Sequence, residues 1–137
     1  MIAKPTTEQI LNDCSRELME VVLPAVTDET VVVTIYMMDL VLRNAAVRAA
    51  HEIAWMTEEI GGLESFAGSS TASPNGDGLH LDDVVERYRR ASEAFSRAME
   101  EAVAAGDEER TRHGAALMAH RVEREQEVMC GWSPVGR

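Results

Sequence analysis

Apolar residues recur every three or four positions along most of the chain, the spacing of one helix face, and turn-forming residues divide the pattern into four segments. The first begins at Thr6 or Thr7, where Thr6-Thr7-Glu8-Gln9 has the order of a capping box. Ile10, Cys14, Leu18 and Val21 or Val22 then fall on one face. Pro24 is expected to end this helix, because the residue before a proline is driven out of the α region.

The second segment starts after Asp28, an N-cap residue type, with Glu29 favourable to the helix dipole. Val31, Ile35, Met38, Leu42, Ala45, Ala49, Ile53, Met56 and Ile60 make one long stripe. Val33, Met37, Leu40, Val47 and Ala54 make a second beside it. Two apolar stripes call for cover on two sides, so this helix is expected to be the central one. The run Val31-Val32-Val33 favours a strand locally, but the helical period beyond it prevails. With Gly61-Gly62 as the expected stop, it would be roughly 45 Å long.

Residues 65–80, containing AGSSTASPNGDG, read as a crossover loop or linker. Their glycines follow no strand and are joined by no lysine, so they form no phosphate cradle. A third helix is expected from about Leu81 to Ala105, with Leu81, Val84 or Val85, Tyr88, Ala91, Phe95, Met99 and Ala102 facing inward. Gly106-Asp107 turns the chain into an antiparallel fourth helix, about Asp107 to Met129, whose end RVEREQE reads as a solvated face. Pro134 is expected to close the ordered region. The fold class predicted is all-α: one domain over residues 1–137, a four-helix bundle with a long second helix and a Gly/Ser-rich crossover.

Composition narrows the function classes. At 137 residues there is room for one core, and 45% of the residues are hydrophobic, so this is no disordered acidic tail. A formal net charge of -11 argues against a nucleic-acid partner, whose phosphates need a basic surface, and disfavours an anionic membrane. No secretory signal opens the chain, and Asp39, Arg43 and Arg48 interrupt its apolar stretches, so neither export nor a membrane span is expected and the cytoplasm is the expected location. Cys14 and Cys130 do not make a disulfide framework; Cys14 is expected as a small core residue and Cys130 as a free thiol.

One polar constellation interrupts the apolar pattern. Asn44, Arg48, His51 and Trp55 follow at steps of four, three and four, sharing a face of the second helix, and Glu52 can pair with Arg48. These five residues could line a ligand pocket, fix helix register as a buried polar network, or form a homodimer seam. Metal and catalytic motifs fail on spacing. HEIAW carries Trp55 where a zinc HExxH needs its second histidine. Glu109 precedes His113 by four rather than three, against the di-iron pattern. His120, Glu123 and Glu127 share a face but read as a charged surface. Ser69, Ser70 and Ser73 lack the strand-to-helix setting of a nucleophile elbow. Met37, Met38 and Met56 read as core filler. No catalytic residue, metal or cofactor is therefore expected.

KPTTEQIL at 4–11, VVLPAV at 21–26, LRNAAVRAAHEIAWM at 42–56 and AVAAGD at 102–107 resemble a family of small all-helical bacterial proteins of actinobacterial type, a domain of unknown function. The resemblance spans nearly the whole chain, but its motifs are structural. Asn44 and Glu52 match its polar positions, whereas His51 stands where arginine is more usual. Genes of this family often adjoin those for acyl-CoA dehydrogenases and aminoglycoside-phosphotransferase-like kinases. The resemblance thus implies an accessory role beside such enzymes. The function expected is a non-catalytic interaction protein with a protein partner or a second copy of itself; the alternative is a ligand-binding or enzymatic bundle with its pocket on the second helix.

Overall fold

The computed structural model describes residues 4–72 and 78–129, and these are all-α. Helix α1 spans Thr7–Glu17, followed by a π-helical turn at Leu18–Val22 and a 3-10 turn at Leu23–Ala25. Helices α2, α3 and α4 span Glu29–Ala67, Leu81–Ala105 and Glu108–Met129. The expectations for Cys130 and Pro134, and that for Ser73, lie outside the described residues.

The caps follow the sequence. Thr6 accepts from Gln9 N at 3.2 Å while Gln9 returns its side-chain oxygen to Thr6 N at 3.0 Å, a complete capping box. Asp28 accepts from Thr30 N and Val31 N at 2.9 and 3.2 Å and starts α2. Asp107 accepts from Arg110 N at 2.9 Å and starts α4. Gly106 ends α3 at φ 68°, with Gly106 N bonded to Val103 O and Asp107 N to Ala102 O.

Two helix ends differ from expectation. Pro24 does not stop α1, whose regular turns close at Glu17; the chain stays helical through the π turn and Pro24 sits inside the 3-10 turn. Proline lacks an N–H, and the start of a short turn needs none there. Likewise Gly61 and Gly62 do not stop α2. Each costs about 1 kcal/mol relative to alanine, but Ile60, Leu63 and Phe66 around them are buried, and each such side chain returns about 1.5–3 kcal/mol. The stop is Gly68, at φ 66°, with Ser69 N bonded to Glu64 O and Gly68 N to Ser65 O.

The residues form two compact units, Met1–Glu52 with Gln126–Arg137, and Ile53–Glu125. In the first, Ile35, Ala46 and Val128 are buried, together with the polar pair Ser15 and Asp39. The Ser15 hydroxyl donates to Asp39 Oδ1, and Arg43 holds Oδ2 from Nε at 3.0 Å and Nη2 at 2.9 Å. That network satisfies a buried carboxylate that would otherwise be costly. Several residues expected in the core are exposed here: Cys14, Val31, Met37 and Met38. Ile35, Asp39, Leu42 and Ala46 share the packed face of α2, and at about 100° per residue Val33, Met37 and Val41 fall on the opposite side. Cys14 loses its expected place because its neighbour Ser15 is the α1 residue turned to Asp39.

In the second unit the core is Ile60, Leu63 and Phe66 of α2 with Val84, Ala91, Phe95 and Ala98 of α3, and Met56, Tyr88 and Leu117 pack against it. Phe66 and Phe95 meet at 4.8 Å between ring centroids, tilted by 49°. Gly114 is buried against Met99 and Phe66, which lets α4 approach closely. Arg110 of α4 donates from Nη2 to Phe66 O at 3.3 Å and lies 5.2 Å over its ring. Glu64 is the other tie. It accepts from Arg87 Nη2 through Oε2 at 3.0 Å and from the Thr71 amide and hydroxyl through Oε1, at 2.7 and 2.5 Å. Arg90 adds a bond to Thr71 O at 3.2 Å, so the chain just after α2 is fastened to α3.

Candidate functional site

The five polar residues singled out by spacing are only partly brought together. Asn44 is half-buried, and Arg48 and His51 are exposed. Arg48 Nη1 approaches Glu52 Oε1 at 3.8 Å, the i,i+4 pair the sequence allows. Those four belong to the first unit and Trp55 to the second. Trp55 is half-buried, with the Arg124 guanidinium 5.9 Å from its ring and Arg124 Nη1 donating to its carbonyl at 3.5 Å.

The enclosed space lies one turn further along α2. A cavity of about 200 Å³ has Leu63, Leu117 and Met118 as its apolar wall and Gly62 as a position without a side chain. A Cβ at Gly62 would sit 3.4 Å from Leu117 Cδ2, so anything beyond alanine would enter the space. Glu58 and Glu59 of α2, Tyr88 of α3, and His120, Arg121 and Arg124 of α4 form the polar rim. A shallower groove runs along α3 past Val85, Ser92 and Ser96, and Tyr88 and Arg121 line both.

The rim charges are unequally matched. Arg124 Nη2 pairs with Glu58 Oε2 at 2.6 Å, and that guanidinium holds the Glu58 carboxyl below its usual range. Arg121 lies 5.5 Å over the Tyr88 ring and makes no ion pair among the described residues. Burial, reinforced by the neighbouring Glu59 carboxylate, pushes the Tyr88 phenol up to about 12, with Arg121 opposing. Near neutral pH Tyr88 is thus a hydrogen-bond donor rather than a base. Ser92 Oγ lies near enough to temper that shift slightly, but it is buried without a partner in hydrogen-bond geometry among the described residues.

His120 Nδ1 lies 3.5 Å from Glu123 Oε2, and Glu127 is exposed on the same helix. Among the described residues no group of three or more His, Cys, Asp or Glu side chains is placed to hold a metal ion. The cavity escaped the sequence reading because it arises from an absent side chain, and Gly62 read as punctuation. The available signal was Tyr88, a polar-tipped ring expected to face inward on the apolar stripe of α3.

By length and composition α2 is also long and apolar enough to cross a membrane, with Asp39 and Arg43 inside the apolar stretch. No family model matches the chain, and no curated protein and no solved structure does either.

Proposed function

We propose that the chain is a non-catalytic interaction protein that pairs with a second copy of itself through the exposed apolar face of the first half of α2. One observation carries this reading: Val33, Met37, Met38 and Val41 are 54, 52, 51 and 64% exposed on a helix whose opposite face is packed. An apolar patch of this kind on a soluble surface marks an interaction site. A second copy fits because the patch holds no charge. Two chains of net charge -11 repel through most of their surfaces, and an isologous contact here brings no carboxylates face to face. Val21 and Val22, 60 and 44% exposed, are further apolar surface of the same unit. Such area is needed, since a stable interface covers about 800 Å² per partner.

The four-helix-bundle arrangement, with a Gly/Ser-rich crossover between α2 and α3, and a cytoplasmic location belong to the same proposal. Support of an acyl-CoA-metabolising or phosphotransferase-like enzyme rests on the family resemblance alone.

Sedimentation equilibrium tests the pairing. The wild type should sediment as two chains, and Met37→Glu with Val41→Glu should give one chain with unchanged helical circular dichroism. A wild type that stays monomeric into the high micromolar range overturns the reading. A monomer that instead floats with neutral lipid vesicles would assign the same face to a bilayer.

A further inference from the structure

We infer that the cavity bounded by α2, α3 and α4 in the second unit is a binding site for a small amphiphilic carboxylate, its tail against Leu63, Leu117 and Met118 and its head at Arg121. The wall is apolar and preformed, and Gly62 keeps it open where a longer side chain would fill it. At about 200 Å³ the space matches about seven water volumes, which suits a tail of about five or six carbons and is too small for a drug-sized ligand.

The charges at the rim choose the head group. Glu58 and Arg124 neutralise one another at 2.6 Å, and Trp55 fixes Arg124 from behind through its ring and carbonyl. Glu59 sits beside the Tyr88 phenol. Arg121 is left as the rim cation that makes no ion pair within 4.0 Å among the described residues, held over the Tyr88 ring at 5.5 Å. A guanidinium presents parallel N–H donors that match a carboxylate. An ammonium head would meet Arg121 as a like charge. An alcohol would use the wall but leave the guanidinium unanswered.

Titration calorimetry with hexanoate, hexan-1-ol and hexylammonium tests this. Trp55 fluorescence in a Trp132→Phe background serves as a second readout, because Arg124 links that indole to the rim. Hexanoate should bind at least about tenfold tighter than hexanol, with hexylammonium weakest. Arg121→Gln should bring hexanoate down to the affinity of hexanol and leave hexanol unchanged. Gly62→Leu should abolish both. The inference is overturned if wild type binds none of the three, if hexylammonium equals hexanoate, or if Arg121→Gln leaves hexanoate binding intact. Arg121 is exposed, so its variant tests the head group even where Gly62→Leu fails to fold. These outcomes do not depend on whether the chain pairs.

Discussion

Inside the first unit the Ser15 hydroxyl donates to the Asp39 carboxylate, linking α1 to a buried acid on α2 whose other oxygen is held by Arg43. Removing either member leaves a buried polar group unanswered. Ser15→Ala should destabilise by about 1–2 kcal/mol and Asp39→Ala by about 2–4 kcal/mol. The double variant should cost less than the sum, because the second change removes a group already orphaned. Urea denaturation of the three proteins checks the ordering; additive losses would mean the two groups act independently.

Glycines in the two helical settings should respond with opposite sign. Gly61 is within α2 and a Cβ there meets nothing within 4 Å, so Gly61→Ala should stabilise by about 0.5–1 kcal/mol. Gly106 holds φ 68° at the end of α3, and Gly106→Ala should destabilise by about 1–2 kcal/mol. Thermal melts of the two variants read the difference directly.

Burial alone would push the Glu64 carboxyl up, but Arg87 and the Thr71 hydroxyl and amide outweigh it and hold it below the usual glutamate range. A carboxyl depressed in the folded state contributes stability above its unfolded value that is lost as pH falls through the folded one. Stability should therefore decline from about pH 5 towards pH 3. Glu64→Gln should flatten part of that decline, seen as a smaller drop in urea midpoint over the same range.

Tyr88 should titrate late. A Tyr36→Phe variant leaves it as the remaining tyrosine of two. Its absorbance at alkaline pH should then show half-ionisation at about 12. Because the folded value is raised, its contribution to stability is complete below the ordinary value of about 10 and is lost as pH rises through about 12. Half-ionisation at the ordinary phenol value would show a solvated ring.

Much of the architecture was legible where local chemistry decides it. The Thr6-Gln9 box, the Asp28 cap and the Gly106-Asp107 turn are fixed by residues within a few positions of each other. The third helix runs over Leu81–Ala105 as its stripe predicts. Burial was less legible. Val31, Met37 and Met38 carry the same period as Ile35 and Leu42, and periodicity cannot say which of two apolar faces finds a partner within the chain. The end of α2 was misplaced because Gly61-Gly62 weighs as a stop only until Leu63 and Phe66 are known to be in the core. The steps of four, three and four from Asn44 to Trp55 describe the spacing of one helix face and nothing beyond it. What they could not show is that the enclosed space lies further on, where Gly62 omits a side chain and Arg121 arrives from a helix far away in sequence.

The bond from Arg110 to the Phe66 carbonyl has a consequence for how the second unit breathes. The last turn of a helix ordinarily frays first, since its carbonyls have no intrahelical partners. Here a carbonyl of the final turn of α2 is satisfied by the first turn of α4, and the same guanidinium covers the ring that anchors that turn. Neither end can loosen without exposing the other. The amides around Phe66 should therefore exchange with solvent at the rate of those around Arg110, as one cooperative opening rather than as two fraying termini.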